Sequence, residues 1–250
     1  MKAARLRKRS VWKVLGPALM LLASCSSTQE PLTQADRGKS LVADTKLSPS
    51  TLNFSSCTTC HRFEPGERPD LLLPGAPLTG ATLRKSFWAG EELDLLRSIN
   101  QCRYFFMASS TPWKADDENA VSIYAYLRSL EPKASEADRN PIPFTIVKEV
   151  ADLPAGPVAR GESVFARACK GCHGSAHRGD GRLKTSLPIL PEETIEAHAY
   201  LGSRDATRLV FIEKTRHGGF LGYGGLMPPF SKEVLSDADL GALLAFLGLY

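Results

Sequence analysis

At 250 residues the chain suits one domain of ordinary size or two small ones, each able to bury a core if a cofactor helps. With 43% hydrophobic and 23% charged residues, its composition is that of a globular protein. The formal charge of +4 is misleading, because Lys2, Arg5, Arg7, Lys8, Arg9 and Lys13 lie in an acid-free leader; without them 25 of the 31 basic side chains face 27 acidic ones, which removes the electrostatic basis for binding nucleic acid.

The start carries a basic run up to Lys13, an apolar stretch over residues 14–23 and a small residue before a cysteine, which together read as an export signal over residues 1–24. The apolar stretch is too short to span a membrane comfortably. Leu22-Ala23-Ser24-Cys25 resembles a bacterial lipoprotein box, which implies cleavage before Cys25 and lipid attachment to its sulfur. The chain is then expected at the periplasmic side of the cell envelope, held to a membrane by acyl chains. Ser26 rather than Asp follows the cysteine, which favours the outer membrane by analogy with enterobacterial sorting. Residues 25–34 read as a polar tether.

Six cysteines in an exported chain first suggest disulfides, but their spacing argues otherwise. Cys57-Thr58-Thr59-Cys60-His61 and Cys169-Lys170-Gly171-Cys172-His173 are both CxxCH, the attachment signature of c-type haem. Two thiols three positions apart on a helical turn can each add to one vinyl group of the same porphyrin, and the next histidine then lies beneath the iron. A redox CxxC or half a zinc site leaves the histidine after both pairs unexplained.

The same pattern occurs twice. Arg37-Gly38-Lys39-Ser40-Leu41-Val42-Ala43 precedes the first motif, and Arg160-Gly161-Glu162-Ser163-Val164-Phe165-Ala166 the second. Each half is expected to end in a helix, over residues 120–130 and 237–249, and Ser236 with Asp239 forms an N-cap arrangement for the last. Pro-rich residues 132–156 read as a linker with at most one short strand near 144–150. This order of helix, CxxCH, loop and terminal helix resembles class I cytochrome c in each half. The resemblance implies a mainly α fold of two tandem cytochrome c-like domains, over residues 35–131 and 157–250, around two covalently bound haem c groups. In that fold, residues 73–80 run along the first haem edge, and the first and last helices cross nearby.

A haem held by one histidine needs its other axial position filled, by Met for a high-potential carrier or left open for catalysis. After the leader only two methionines remain, Met107 and Met227, one following each CxxCH. Leu226-Met227-Pro228-Pro229-Phe230 resembles the ligand loop of class I cytochromes, as Cys172-His173-Gly174 through Gly179-Asp180-Gly181 resembles their haem loop, which implies His173 and Met227 as the second pair of iron ligands. For the first haem, His61 faces a choice: Cys102 and Met107 both lie in Asn100-Gln101-Cys102-Arg103-Tyr104-Phe105-Phe106-Met107. That arrangement resembles the first haem domain of thiosulfate dehydrogenases, in which the cysteine binds iron, and equally dihaem cytochromes in which the methionine does. Phe87, Trp88, Tyr104, Phe105 and Phe106 are expected to wall the porphyrin, and Arg84, Lys85 and Arg103 to lie on a solvated face that could attract an anion.

Two function classes follow. The first is an electron carrier between a redox donor and acceptor, both irons six-coordinate. The second is a thiosulfate dehydrogenase-like oxidoreductase centred on a Cys102-ligated haem.

Overall fold

Helix capping sets where the elements begin. The computed structural model describes residues 32–64, 66–220 and 225–250; the export signal and Cys25 lie outside them. Helix α1 (Gln34–Ala43) opens on a capping box, in which the Thr33 hydroxyl accepts the Asp36 N–H at 3.1 Å and the Asp36 carboxylate accepts the Thr33 N–H at 3.1 Å. Gln34, expected in the tether, is therefore the first helical residue. The one-turn helix α2 (Cys57–Cys60) carries the first cysteine pair. Helix α3 (Leu95–Met107) is capped by Asp94, whose carboxylate accepts the Arg97 N–H at 2.7 Å, and ends at Ala108 in the left-handed region. Helix α4 (Glu118–Ser129) closes this half.

Helix α1 packs across α4 at Gly38, where a Cβ would lie 2.8 Å from Cβ of Tyr126 and closer still to the Ser122 carbonyl. Val42, Leu47, Phe63, Met107, Ile123, Tyr126 and Leu127 form the core beneath that crossing.

The expected linker holds short helical pieces and no strand pairing. A 3₁₀ turn (Glu131–Lys133) and one-turn helix α5 (Glu136–Arg139) follow α4, and then the chain runs extended. Near 144–150, where the sequence allows at most one short strand, the chain pairs as a strand with no other segment. The segment is tied down on both sides. The Asp138 carbonyl accepts Arg84 Nε at 2.9 Å, the Thr145 N–H donates to Glu233 at 2.9 Å, and Asp152 accepts Arg208 Nε at 2.7 Å.

The second half starts with helix α6 (Val158–Val164), which runs through a π-helical turn (Phe165–Cys169) into one-turn helix α7 (Lys170–His173). Such turns insert one extra residue per turn and often mark functional sites. A short helix α8 (Glu192–Ala197) leads to α9 (Arg204–His217), capped by Ser203, and to α10 (Asp237–Phe246). At the last, the Ser236 hydroxyl accepts the Asp239 N–H at 3.1 Å, as the sequence predicts.

Gly161 of α6 meets α10 as Gly38 meets α4. A Cβ there would lie 2.7 Å from Cβ of Phe246 and closer still to the Ala242 carbonyl, and in both halves the partners are four residues apart on the terminal helix. The second core gathers Val164, Phe165, Phe211, Ile212, Leu235, Leu240, Leu243 and Leu244. Each fully buried leucine there contributes roughly 1.5–3 kcal/mol. The described residues form a mainly helical structure around apolar cores, consistent with an α cytochrome c fold.

Candidate functional site

In both halves the histidine of CxxCH is fixed by a backbone carbonyl fifteen residues further on. His61 Nδ1 lies 2.7 Å from the Ala76 carbonyl oxygen, and His173 Nδ1 lies 2.9 Å from that of Pro188. A carbonyl only accepts, so Nδ1 carries the proton and donates it, leaving the Nε2 lone pair free for a metal. Burial, the dominant cause, lowers the pKa of both rings, which favours the neutral, ligating form. A Cβ at Gly75 would stand 2.5 Å from the His61 ring, so glycine is what lets the chain lie against the imidazole.

The loop over residues 73–80 takes its expected place beside the first site. The Gly75 N–H donates to the Cys60 carbonyl at 3.0 Å and the Leu78 N–H to the Arg62 carbonyl at 2.7 Å, while Pro74, Ala76 and Leu78 line a cavity of about 200 Å³ that opens to solvent. Cys57, Cys60 and His61 line it from one side, and α3 contributes Leu95, Ile99, Cys102, Phe106 and Met107. Pro228, Pro229 and Val234 of the second half complete the wall.

Cys102 is half-buried and lies on the α3 stripe with Leu95, Ile99 and Phe106, at the helical spacings of seven, three and four residues. Met107 also lines the cavity, but from the last position of α3, where it is buried in the first core. Burial, reinforced by Cys57 and Cys60 nearby, pushes the Cys102 thiol up. Burial likewise raises the free thiol of Cys57 to about 11 and those of Cys60 and Cys169 to about 12. These sulfurs are therefore neutral near pH 7 unless a bond or a metal takes the proton.

The expectation of a solvated cationic face holds for Lys85, which is exposed, and is corrected for the two arginines. Arg84 and Arg103 are 8% and 4% exposed, and both line the cavity. Arg103 donates from Nη1 to Asn100 Oδ1 and the Thr111 carbonyl and from Nη2 to Ser109 Oγ, and its guanidinium lies 3.7 Å from the centre of the Trp113 ring. Its Nε is buried with no acceptor, as is Trp88 Nε1, and Trp88 belongs to the same cavity wall. Donors without partners around an apolar slot match the mixed character of a porphyrin with carboxylate arms.

The aromatic wall is also smaller than expected. Phe87, Trp88 and Phe106 line the cavity, whereas Tyr104 is 62% exposed, because it sits on the opposite face of α3. Phe105 turns instead to Phe220 of the second half, which stacks on Trp88 at 4.9 Å.

At the second motif, the Leu183 N–H donates to the Cys172 carbonyl at 3.0 Å. Gly174, with φ of 70°, allows the close return of residues 179 and 180. Met227 packs half-buried against the second core, and its carbonyl accepts the Gly219 N–H at 2.9 Å. The following loop is held by α9. The Phe230 N–H donates to the Thr215 carbonyl at 2.8 Å, and Arg216 Nη1 donates to the carbonyls of Phe230 and Leu235. The other histidines are engaged elsewhere: His177 with Glu192, His198 with the Thr194 carbonyl, and His217 with Glu213 and the Val147 carbonyl.

Residues 156–247 match the family model of cytochrome c oxidase, cbb3-type, subunit III. The matched stretch is a cytochrome c domain. It contains the second CxxCH and Met227, and a domain of this kind carries covalently bound haem c and passes electrons to redox partners. No curated protein matches the chain. Cytochrome c domains typically work outside the cytoplasm, and among the described residues no helix is long and apolar enough to cross a membrane.

Proposed function

We propose that this chain is an exported, lipid-anchored dihaem cytochrome c that transfers single electrons between a redox donor and an acceptor. The observation that carries the reading is the duplicated histidine geometry, in which His61 and His173 each donate Nδ1–H to a carbonyl fifteen residues on. We read residues 35–131 and 157–250 as tandem cytochrome c domains, with residues 132–156 as the connection. When bound, haem supplies an iron that gains and loses one electron without bond making in the protein. Cys57 and Cys60 hold one such group by thioether bonds, and Cys169 and Cys172 the other. His61 and His173 present Nε2 as proximal ligands, and Met227 presents its thioether to the second iron. For the first, α3 offers Met107 and Cys102. A thioether raises the potential by favouring ferrous iron, and a thiolate lowers it. Apolar side chains line the first site, and lipid on Cys25 holds the protein at the periplasmic face of a membrane, in our reading the outer one.

The mass of the purified native protein tests the count, with two haem additions expected. A single addition would restrict the reading to the C-terminal half. Low-temperature EPR of the oxidised protein and of Cys102→Ala then assigns the first iron. An unchanged spectrum gives the ligand as Met107 and supports the electron carrier. Loss of a low-spin thiolate signal gives it as Cys102, and thiosulfate oxidation becomes the next assay, since Cys102 lines the cavity next to the unpaired Nε of Arg103.

A further inference from the structure

The two CxxCH motifs are tied to each other by one short segment. The Leu72 N–H donates to the Arg167 carbonyl at 3.0 Å, and Arg167 Nε donates back to the Asp70 carbonyl at 3.0 Å. Lys184 Nζ reaches the Thr51 carbonyl at 2.8 Å, a further tie between the halves. Arg167 stands two residues before Cys169, inside the π-helical turn. Leu72 packs against the core of the second half. Three residues on, the same segment touches the first motif, where Gly75 bonds the Cys60 carbonyl and Ala76 accepts His61 Nδ1. Residues 70–76 thus run from one attachment motif to the other.

Resting on the dihaem reading, we infer that the two haem sites form one electronically connected pair, joined at their attachment edges by residues 70–76 seated on the Arg167 turn, with Leu72 and Arg167 as positioning residues. With haem bound at both motifs, His61 and His173 would hold two irons between which one electron would pass from the ferrous to the ferric centre. No proton moves and no bond breaks. Electronic overlap falls steeply with separation, so a clasp that fixes the attachment edges together fixes the exchange rate. Proximity also couples the sites electrostatically, because an electron placed on one makes the next harder to add to the other.

The test uses the native holoprotein. Haem counting by mass comes first, and one haem overturns the dihaem reading itself. With two attached, EPR power saturation is compared between fully oxidised and half-reduced samples. A low-spin ferric signal is expected to saturate at lower power once its neighbour is ferrous and no longer paramagnetic. That dependence is expected to weaken in Arg167→Ala, whose side chain is exposed, and in Leu72→Ala, both keeping two haems. Saturation curves that coincide in the two redox states of the wild type overturn the pairing while leaving the dihaem reading in place. Undiminished coupling in both variants overturns the positioning role of Leu72 and Arg167.

Discussion

Gly75 lies so close to His61 that a Cβ at position 75 would stand 2.5 Å from Nδ1 and Cε1 of the imidazole. A side chain there pushes the ring off the axis that its bond to Ala76 defines. On the proposed dihaem reading, Gly75→Ala is therefore expected to leave haem attachment intact by mass while shifting the midpoint potential of one haem and weakening its low-spin spectrum. Spectroelectrochemistry reads both, and a potential equal to that of the wild type would falsify the positioning of His61 by this contact.

The glycines at the two helix crossings carry a matching expectation. A Cβ on Gly38 or Gly161 runs into the backbone of α4 or α10, which a side-chain rotation cannot relieve. Forced overpacking of this kind costs about 1–3 kcal/mol. Denaturant midpoints of Gly38→Ala and Gly161→Ala are expected to fall, each variant mainly loosening its own half.

Arg103 offers a test of fork geometry. Its guanidinium satisfies Asn100, Ser109 and the Thr111 carbonyl at once while stacking on Trp113, and lysine cannot reach all of these from one ammonium. Arg103→Lys is expected to cost about 1–3 kcal/mol through the acceptors left buried and unpaired. A thermal melt reads the loss, and, on the proposed dihaem reading, the spectrum of the first haem should change while that of the second stays as it was.

Acid acts on the tie between residue 145 and the loop after Met227. Burial alone would raise the pKa of Glu233, but hydrogen bonds from the Thr145 hydroxyl and N–H outweigh it and hold the value at about 2. A carboxylate depressed in the folded state stabilises fully above its ordinary value of 4.5, and that contribution is lost as pH falls from there towards about 2. Urea midpoints of the wild type and Glu233→Gln are expected to differ at about pH 6 and to converge on acidification. A gap that persists unchanged at the lowest pH would rule out this carboxylate as the source.

The parts of the fold that depend on local pattern were readable from the chain. Gly38 and Gly161 recur at the same distance from a hydrophobic run, Ser236 and Asp239 form their capping pair, and residues 73–80 follow the turn chemistry of Pro and Gly. Helix α9, the longest among the described residues, escaped notice because its buried face includes Arg208 and Arg216. Their burial makes sense only with partners distant in sequence, Asp152 for one and the Phe230 and Leu235 carbonyls for the other. The same blindness made Arg84 and Arg103 look like surface cations. Charge in a sequence reads as exposure until the acceptors that bury it are brought together by folding. Tyr104 is the converse case, an aromatic among aromatics that the turn of α3 sends outward.

The wall that Pro228, Pro229 and Val234 give to the first cavity bears on biosynthesis. Ribosomes make the Cys57 motif long before they make these residues, so the cavity beside Cys57, Cys60 and His61 takes its full outline only after residues 228–234 have been made and folded against the first half.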